Sequence, residues 1–132
     1  MMLWELQKAI FAKLDGDAVL KSKVTGIFDH VPQGQAFPFV VIGDDQAEDF
    51  DDNRDTGFEV DATIHVWARD HRGRATVKAV LADIYRLLHR QPLTVVGAHH
   101  VGSFQEFTDS FREPDGATFH GLARVRITLA KA

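Results

Sequence analysis

The chain has 132 residues, 45% of them apolar and 26% charged, with 4 prolines; these proportions fit one compact globular domain spanning 1–132 and exclude a disordered, collagen-like or two-domain protein. The absence of cysteine excludes thiolate nucleophiles, disulfide frameworks and thiolate zinc sites. A net charge of −4 argues against a module built to hold nucleic acid, which depends on Lys and Arg displacing counterions from phosphates.

Leu3, Leu6, Ile10 and Leu14 recur at helical spacing with Glu5, Gln7, Lys8 and Lys13 on the other side. That predicts an amphipathic helix over 2–15, ended by Asp15 and Gly16. The N-terminal residues carry no basic stretch ahead of an apolar run, and no segment approaches the ~18 consecutive apolar residues of a membrane span. The expectation is a soluble cytoplasmic protein with no membrane partner. Residues 17–24 read as a short helical turn or loop, Ile27, Phe28 and Val31 as a brief strand, and 32–36 as a turn. Phe37–Gly43 (FPFVVIG) is a continuous apolar run, as expected of a strand buried on both faces or of an oligomer contact. Its interface candidates are Phe39, Val40, Val41 and Ile42.

Seven carboxylates, Asp44, Asp45, Glu48, Asp49, Asp51, Asp52 and Asp55, then fall within twelve residues. Like charge at this density repels itself, so a long exposed loop is predicted. After it, Phe58, Val60, Ala62, Ile64, Val66 and Ala68 alternate with Glu59, Asp61, Thr63, His65, Trp67 and Arg69, the period of a strand covered on one face. Val77, Val80, Leu81, Ile84, Leu87 and Leu88 mark a second amphipathic helix over about 74–90, stopped before Pro92. Residues 93–96 read as a short strand and 99–112 as another. On the latter, Val101, Phe107 and Phe111 share one parity and Phe104 the other, so Phe104 is either core on a bulged strand or an apolar contact on the polar face. Pro114–Gly116 make a turn into a last strand in which Phe119, Ala123, Val125, Ile127 and Leu129 alternate with His120, Arg124, Arg126 and Thr128. The predicted fold is α+β: a mainly antiparallel sheet with two helices packed on one face.

Motifs for chemistry are sparse. Asp51, Asn53 and Asp55 have the one-three-five spacing of a calcium loop, but Thr56 stands where the turn needs Gly and Ala62 where a bidentate Glu belongs. The seven histidines offer no helical pair, and adjacent His99 and His100 point to opposite faces, so no metal or other cofactor is expected. No serine lies in a nucleophile elbow, and the glycines lack phosphate-loop spacing. His65, flanked on its face by Asp61, Thr63 and Trp67, is the best candidate for a general base, with a plain surface histidine as the simpler reading. Trp67 on a polar strand face is either an interface anchor or filler at a sheet edge.

Four blocks in order, Ile27–Gly34 (IFDHVPQG), Phe37–Asp45 (FPFVVIGDD), Glu59–Arg69 (EVDATIHVWAR) and Asp115–Leu129 (DGATFHGLARVRITL), resemble the tail-completion, or tail-terminator, family of long-tailed bacteriophages and gene transfer agents. The similarity runs through nearly the whole chain. The departures are Ala68, where the family more often has Ser, and Asp44, where it more often has Glu. The resemblance implies a non-enzymatic structural protein, made in the host cytoplasm and carried in the particle's tail. Such a protein forms a six-membered ring on the head-proximal end of the tail tube, ends tube polymerisation and meets the head connector. Its partners would be copies of itself, the major tail tube protein and the connector, with DNA passing through unbound.

A ring needs two different patches that meet on neighbours. Residues 1–66 carry a net charge of −8 and residues 67–132 of +4, which could supply them; sequence halves that do not map onto spatial halves are the plain alternative. Trp67, Phe104 and the VVIG run are the interface candidates, and the stretch 44–55 would line the opening or reach onto the tube. Another neck component, or a small enzymatic or ligand-binding domain built on His65, are the alternatives.

Overall fold

The structure, a computed structural model, describes residues 2–51, 56–69 and 74–131. Helix α1 (Leu3–Asp15) buries Leu6, Ile10 and Leu14, one stripe of its predicted apolar face. It stops at Gly16, whose N–H reaches the Ala12 carbonyl. A short α2 (Ala18–Lys21) follows, capped by the Asp17 carboxylate accepting from the Leu20 N–H at 2.9 Å. Strand β1 (Ile27–Phe28) runs parallel to β2 (Phe39–Asp51). β2 pairs antiparallel with β3 (Thr56–Ala68), and β3 with β5 (Phe119–Lys131). Strand β4 (Ala98–Arg112) completes the sheet beside β5, giving the order β1-β2-β3-β5-β4. Helix α3 (Ala75–Leu88) connects β3 to β4 across one face.

The fold is α+β, as the alternating and helical patterns predict. Val60, Ile64, Val66, Val125, Ile127 and Leu129 of β3 and β5 are buried beneath Leu6, Ile10 and Leu14 of α1 and Val77, Val80, Ile84 and Leu88 of α3. Asp83, buried on α3, is neutralised by Lys23 at 2.7 Å and by Arg86 at 3.4 Å, and Arg86 also holds Asp17 at 2.6 Å. These pairs fix α2 against α3.

The structure corrects the sequence reading in several places. The acidic stretch is not a loop from 44 onward: β2 runs to Asp51 in register with β3, with Asp45 opposite Ala62, Ala47 opposite Val60 and Asp49 opposite Phe58. Backbone pairing carries the segment, and each carboxylate described on it is exposed to water, where repulsion is weak. Asp52 and Asp55, with most of the calcium-like spacing, lie outside the described residues. Residues 93–96 form no strand; Leu93 and Val95 are buried from an irregular segment. Accordingly two strands, not three, follow α3. The first strand is shorter than predicted, since Val31 falls outside β1.

Two bulges on β4, between His100 and Gly102 and between Gln105 and Phe107, change which parity faces the helices. Phe104 therefore stands opposite Arg126, Phe107 opposite Arg124 and Phe111 opposite His120. All three share the face of the sheet away from the helices despite their mixed parity in sequence.

Candidate functional site

That second face is the candidate site. By register it carries Asp61, Thr63, His65 and Trp67 from β3, His120, Leu122, Arg124 and Arg126 from β5, and the three phenylalanines of β4. Among the described residues no helix lies across it, and most of its side chains pack on one another. Arg126 spans between Asp61 at 3.2 Å and Glu106 at 3.4 Å. Arg124 lies over the Phe107 ring at 5.2 Å. Val101, Phe104, Phe107 and Phe111 are all exposed, an unusual row of apolar groups for one strand in water.

Across the middle runs a band of stacked rings. Trp67 stacks on His120 with centroids 3.8 Å apart, and Phe111 meets the same imidazole at 4.9 Å. Trp67 is thus half-buried rather than free, and its contact with His120 follows from their being cross-strand partners. Within the band the Glu113 carboxylate lies 3.0 Å from His120 Nδ1, and His120 Nε2 lies 2.7 Å from His65 Nδ1. A carboxylate only accepts, so His120 donates from Nδ1 to Glu113. His120 Nε2 then accepts from His65 Nδ1–H, and His65 Nε2 is left as an acceptor. Burial, reinforced by the nearby His120, pushes the His65 imidazole below its ordinary range, with Asp44 opposing weakly.

His65 borders a cleft of about 610 Å³ with Trp67, Val41, Gly43, Asp44 and Asp29 on its walls. The expected neighbours Asp61 and Thr63 share its strand face, but it is His120, from the last strand, that orients it. No serine lines the cleft, and among the described residues no group of three acidic or histidine side chains could hold a metal ion. The arrangement positions one imidazole, oriented by His120, with the carboxylates of Asp29 and Asp44 on the same cleft walls.

The remaining predicted residues divide. Phe39, Val40 and Ile42 are buried within the subunit, Phe39 against the rings of Phe37 and Phe28. Phe39 and Val40 are thereby engaged in the chain's own packing, while Val41, half-buried, and Ile42, largely buried, still contribute to the walls of surface clefts. Asp44, Asp45, Glu48 and Asp49 are exposed along β2. Phe104, also exposed, packs edge-on against His89 and beneath Arg90. His89 and Arg90 also cover part of the β4 edge: the Gln105 N–H donates to His89 Nδ1 at 3.0 Å, and the Arg90 N–H donates to the Ser103 carbonyl at 2.7 Å.

Sequence reasoning missed a second exposed apolar patch. Trp4 and Phe11 stand one above the other on the polar side of α1, and with Gln7, Lys8, Asp29 and Ile42 they line a groove of about 320 Å³. Their seven-residue spacing was the available signal.

Over residues 8–130 the chain matches the family model described as tail completion protein gp17. The chain belongs to the tail completion protein gp17 family. One relative, the tail completion protein gp17 of Bacillus phage SPP1, is 26% identical over 133 residues, covering 97% of this chain and 98% of the relative. A chain in the structure of the virion of a native gene transfer agent particle superposes with a TM-score of 0.90 at 27% identity, covering 98% of this chain and 97% of that one. The structure of bacteriophage SPP1 gp17 protein superposes with a TM-score of 0.66 at 24% identity, covering 97% and 94%, and shares the fold.

Proposed function

We propose that this chain caps the head-proximal end of a tail tube as a ring of identical subunits, six by the family resemblance, and that the ring ends tube polymerisation and joins tail to head. The observation that carries the reading is the near full-length likeness, at a TM-score of 0.90, to a chain of a gene transfer agent virion. Geometry supports it. The sheet presents one long face without a helical cover, bearing several large apolar groups, which in a soluble chain marks a contact surface. The described carboxylates of the outer half of β2, Glu48 on the uncovered face and Asp49 on the other, are exposed where tube or lumen would lie. There they leave passing DNA without the cations that would hold its phosphates. The chain acts through its surface and transforms no molecule.

The test is deletion of the gene from its particle-producing host, followed by electron microscopy. The expected outcome is heads accompanied by overlong or unjoined tails. Joined particles with tubes of normal length would overturn the proposal. Unjoined tails of normal length would instead mark the chain as another neck component that binds the connector without limiting tube growth.

A further inference from the structure

We propose that successive copies of this chain join head to tail, the groove between Trp4 and Phe11 on α1 of one copy receiving Phe107 and Phe111 from β4 of the next. The inference rests on the ring reading above and assigns its contact.

Two separate apolar patches lie at opposite ends of the sheet. At one end, the groove of about 320 Å³ runs between α1 and Ile42 of β2 and has room for an aromatic side chain. Its walls are exposed, Trp4 by 58% and Phe11 by 40%. At the other end, Phe107 and Phe111 are exposed by 44% and 38% on the last strand of the sheet, beyond the part of its edge that His89 and Arg90 cover. Patches that differ in shape and lie at opposite ends cannot pair with themselves across a two-fold axis without burying one and stranding the other. They suit a contact repeated around a closed ring.

Charge selects the same pairing. Asp29 lines the groove, and Asp44 and Asp45 line the cleft that shares Asp29 and Ile42 with it. Lys8, 5.9 Å from the Trp4 ring, is the cation on that wall. On the opposite end Arg124 lies over Phe107 at 5.2 Å, and Asp109 is the one carboxylate between Phe107 and Phe111 on that face. An aromatic ring entering the groove therefore brings a guanidinium toward the carboxylates, whereas groove against groove would oppose acid with acid. Aromatic and arginine side chains are also the residues that most often dominate association energy.

The test uses two double variants of the full chain, Trp4→Glu with Phe11→Glu and Phe107→Glu with Phe111→Glu, compared with wild type by native mass spectrometry in solution and by electron microscopy on isolated tail tubes. All four side chains are exposed, so circular dichroism melts should stay close to wild type. Each variant alone should remain monomeric, with assembly weakened roughly 100-fold or more by loss of two aromatic anchors. An equimolar mixture should form one-to-one heterodimers and go no further, because each mixed pair keeps one intact groove and one intact β4 row. Arg124→Glu, which leaves every ring in place, should weaken assembly roughly 10-fold at low salt and less at high salt.

Rings from either double variant, or a mixture that stays monomeric while wild type assembles, would overturn the inference and leave tube capping standing. So would a groove variant that still self-associates but no longer binds tubes, since the groove would then serve the tube protein. Wild-type rings that these variants break, yet that fail to stop tube growth, would overturn the capping function and leave the contact standing. Wild type that stays monomeric even on tubes would overturn both.

Discussion

Gly121 of β5 lies close against helix α3, and replacing it measures how rigid that contact is. A Cβ built there would lie 2.7 Å from Val77 Cγ2 and 3.0 Å from Leu81 Cδ1. The leucine terminus can rotate away. Val77 cannot, because it is fully buried and its β-branched side chain has essentially one rotamer on a helix. Gly121→Ala therefore lifts α3 from β5. Overpacking of this kind costs about 1–3 kcal/mol, offset in part by the ~0.4–1 kcal/mol that Ala gains over Gly in the unfolded chain. A net loss of about 1–2 kcal/mol follows, and with an unfolding entropy of about 0.28 kcal/mol/K for 132 residues the melting temperature should fall by about 4–7 °C. Calorimetry of wild type, Gly121→Ala, Val77→Ala and the double variant closes the cycle. Removing Val77 Cγ2 should make the alanine at 121 nearly free, giving a favourable coupling of about 1 kcal/mol or more. Additive losses, or a Gly121→Ala protein as stable as wild type, would refute a rigid contact here.

Other perturbations have equally definite signs. Burial holds the His65 and His100 imidazoles below the ordinary 6.5, so the unfolded chain binds more protons just under that value. Their contribution is complete above it and lost as pH falls, so urea midpoints should drop between pH 7.5 and 5, and less steeply in His65→Gln with His100→Gln. Asp115 accepts from the Ala117 N–H at 2.9 Å, the Thr118 N–H at 2.8 Å and the Thr118 hydroxyl at 2.7 Å, and the Thr118 bonds foremost hold its carboxyl at about 2. Asp115→Ala should lower the urea midpoint at pH 7, and the difference should shrink as pH falls from 5 toward 2. Glu48 faces Glu59 directly across β2 and β3. Glu48→Lys should stabilise the fold by about 0.2–1 kcal/mol, a rise of up to about 4 °C in melting temperature.

What could be read in advance was whatever depended on one element alone. The stripes of α1 and α3 and the strict alternation of β3 are local periodicities, and each became a helix or strand near its predicted bounds. What depended on a neighbour was hidden. The bulge between Ile42 and Asp45 makes Val40 and Ile42 point toward the helices before it, and Asp45, Ala47 and Asp49 after it. No single parity therefore marked residues 39–51 as one strand. The two bulges of β4 scattered Phe104, Phe107 and Phe111 over both parities in the same way. His120 could be placed on the polar face of its strand, but only the β3–β5 register sets it beside Trp67 and His65. Charge density, read as loop, measures solvation and not backbone pairing, and β2 is both solvated and paired.

The outer half of β2 sets the chain's own stability against its surroundings. Like charges directly opposed on a sheet cost stability, and Glu48 against Glu59 is such a pair, with Gln46 opposite Asp61 alongside it. Arg126 relieves Asp61 by a hydrogen-bonded contact at 3.2 Å, while Glu59 interacts with it only through space. A lysine at 48 would remove the repulsion within the subunit, so the carboxylate there is not explained by folding. The proposed capping role offers a reason for a surface held acidic at the expense of its own sheet. Either cations on a neighbouring protein compensate it, or repulsion of nucleic acid is its use. If so, Glu48→Lys should trade a more stable monomer for poorer capping of tubes or slower DNA passage. A lysine variant that is both more stable and fully active would show that β2 carries its charge for solubility alone.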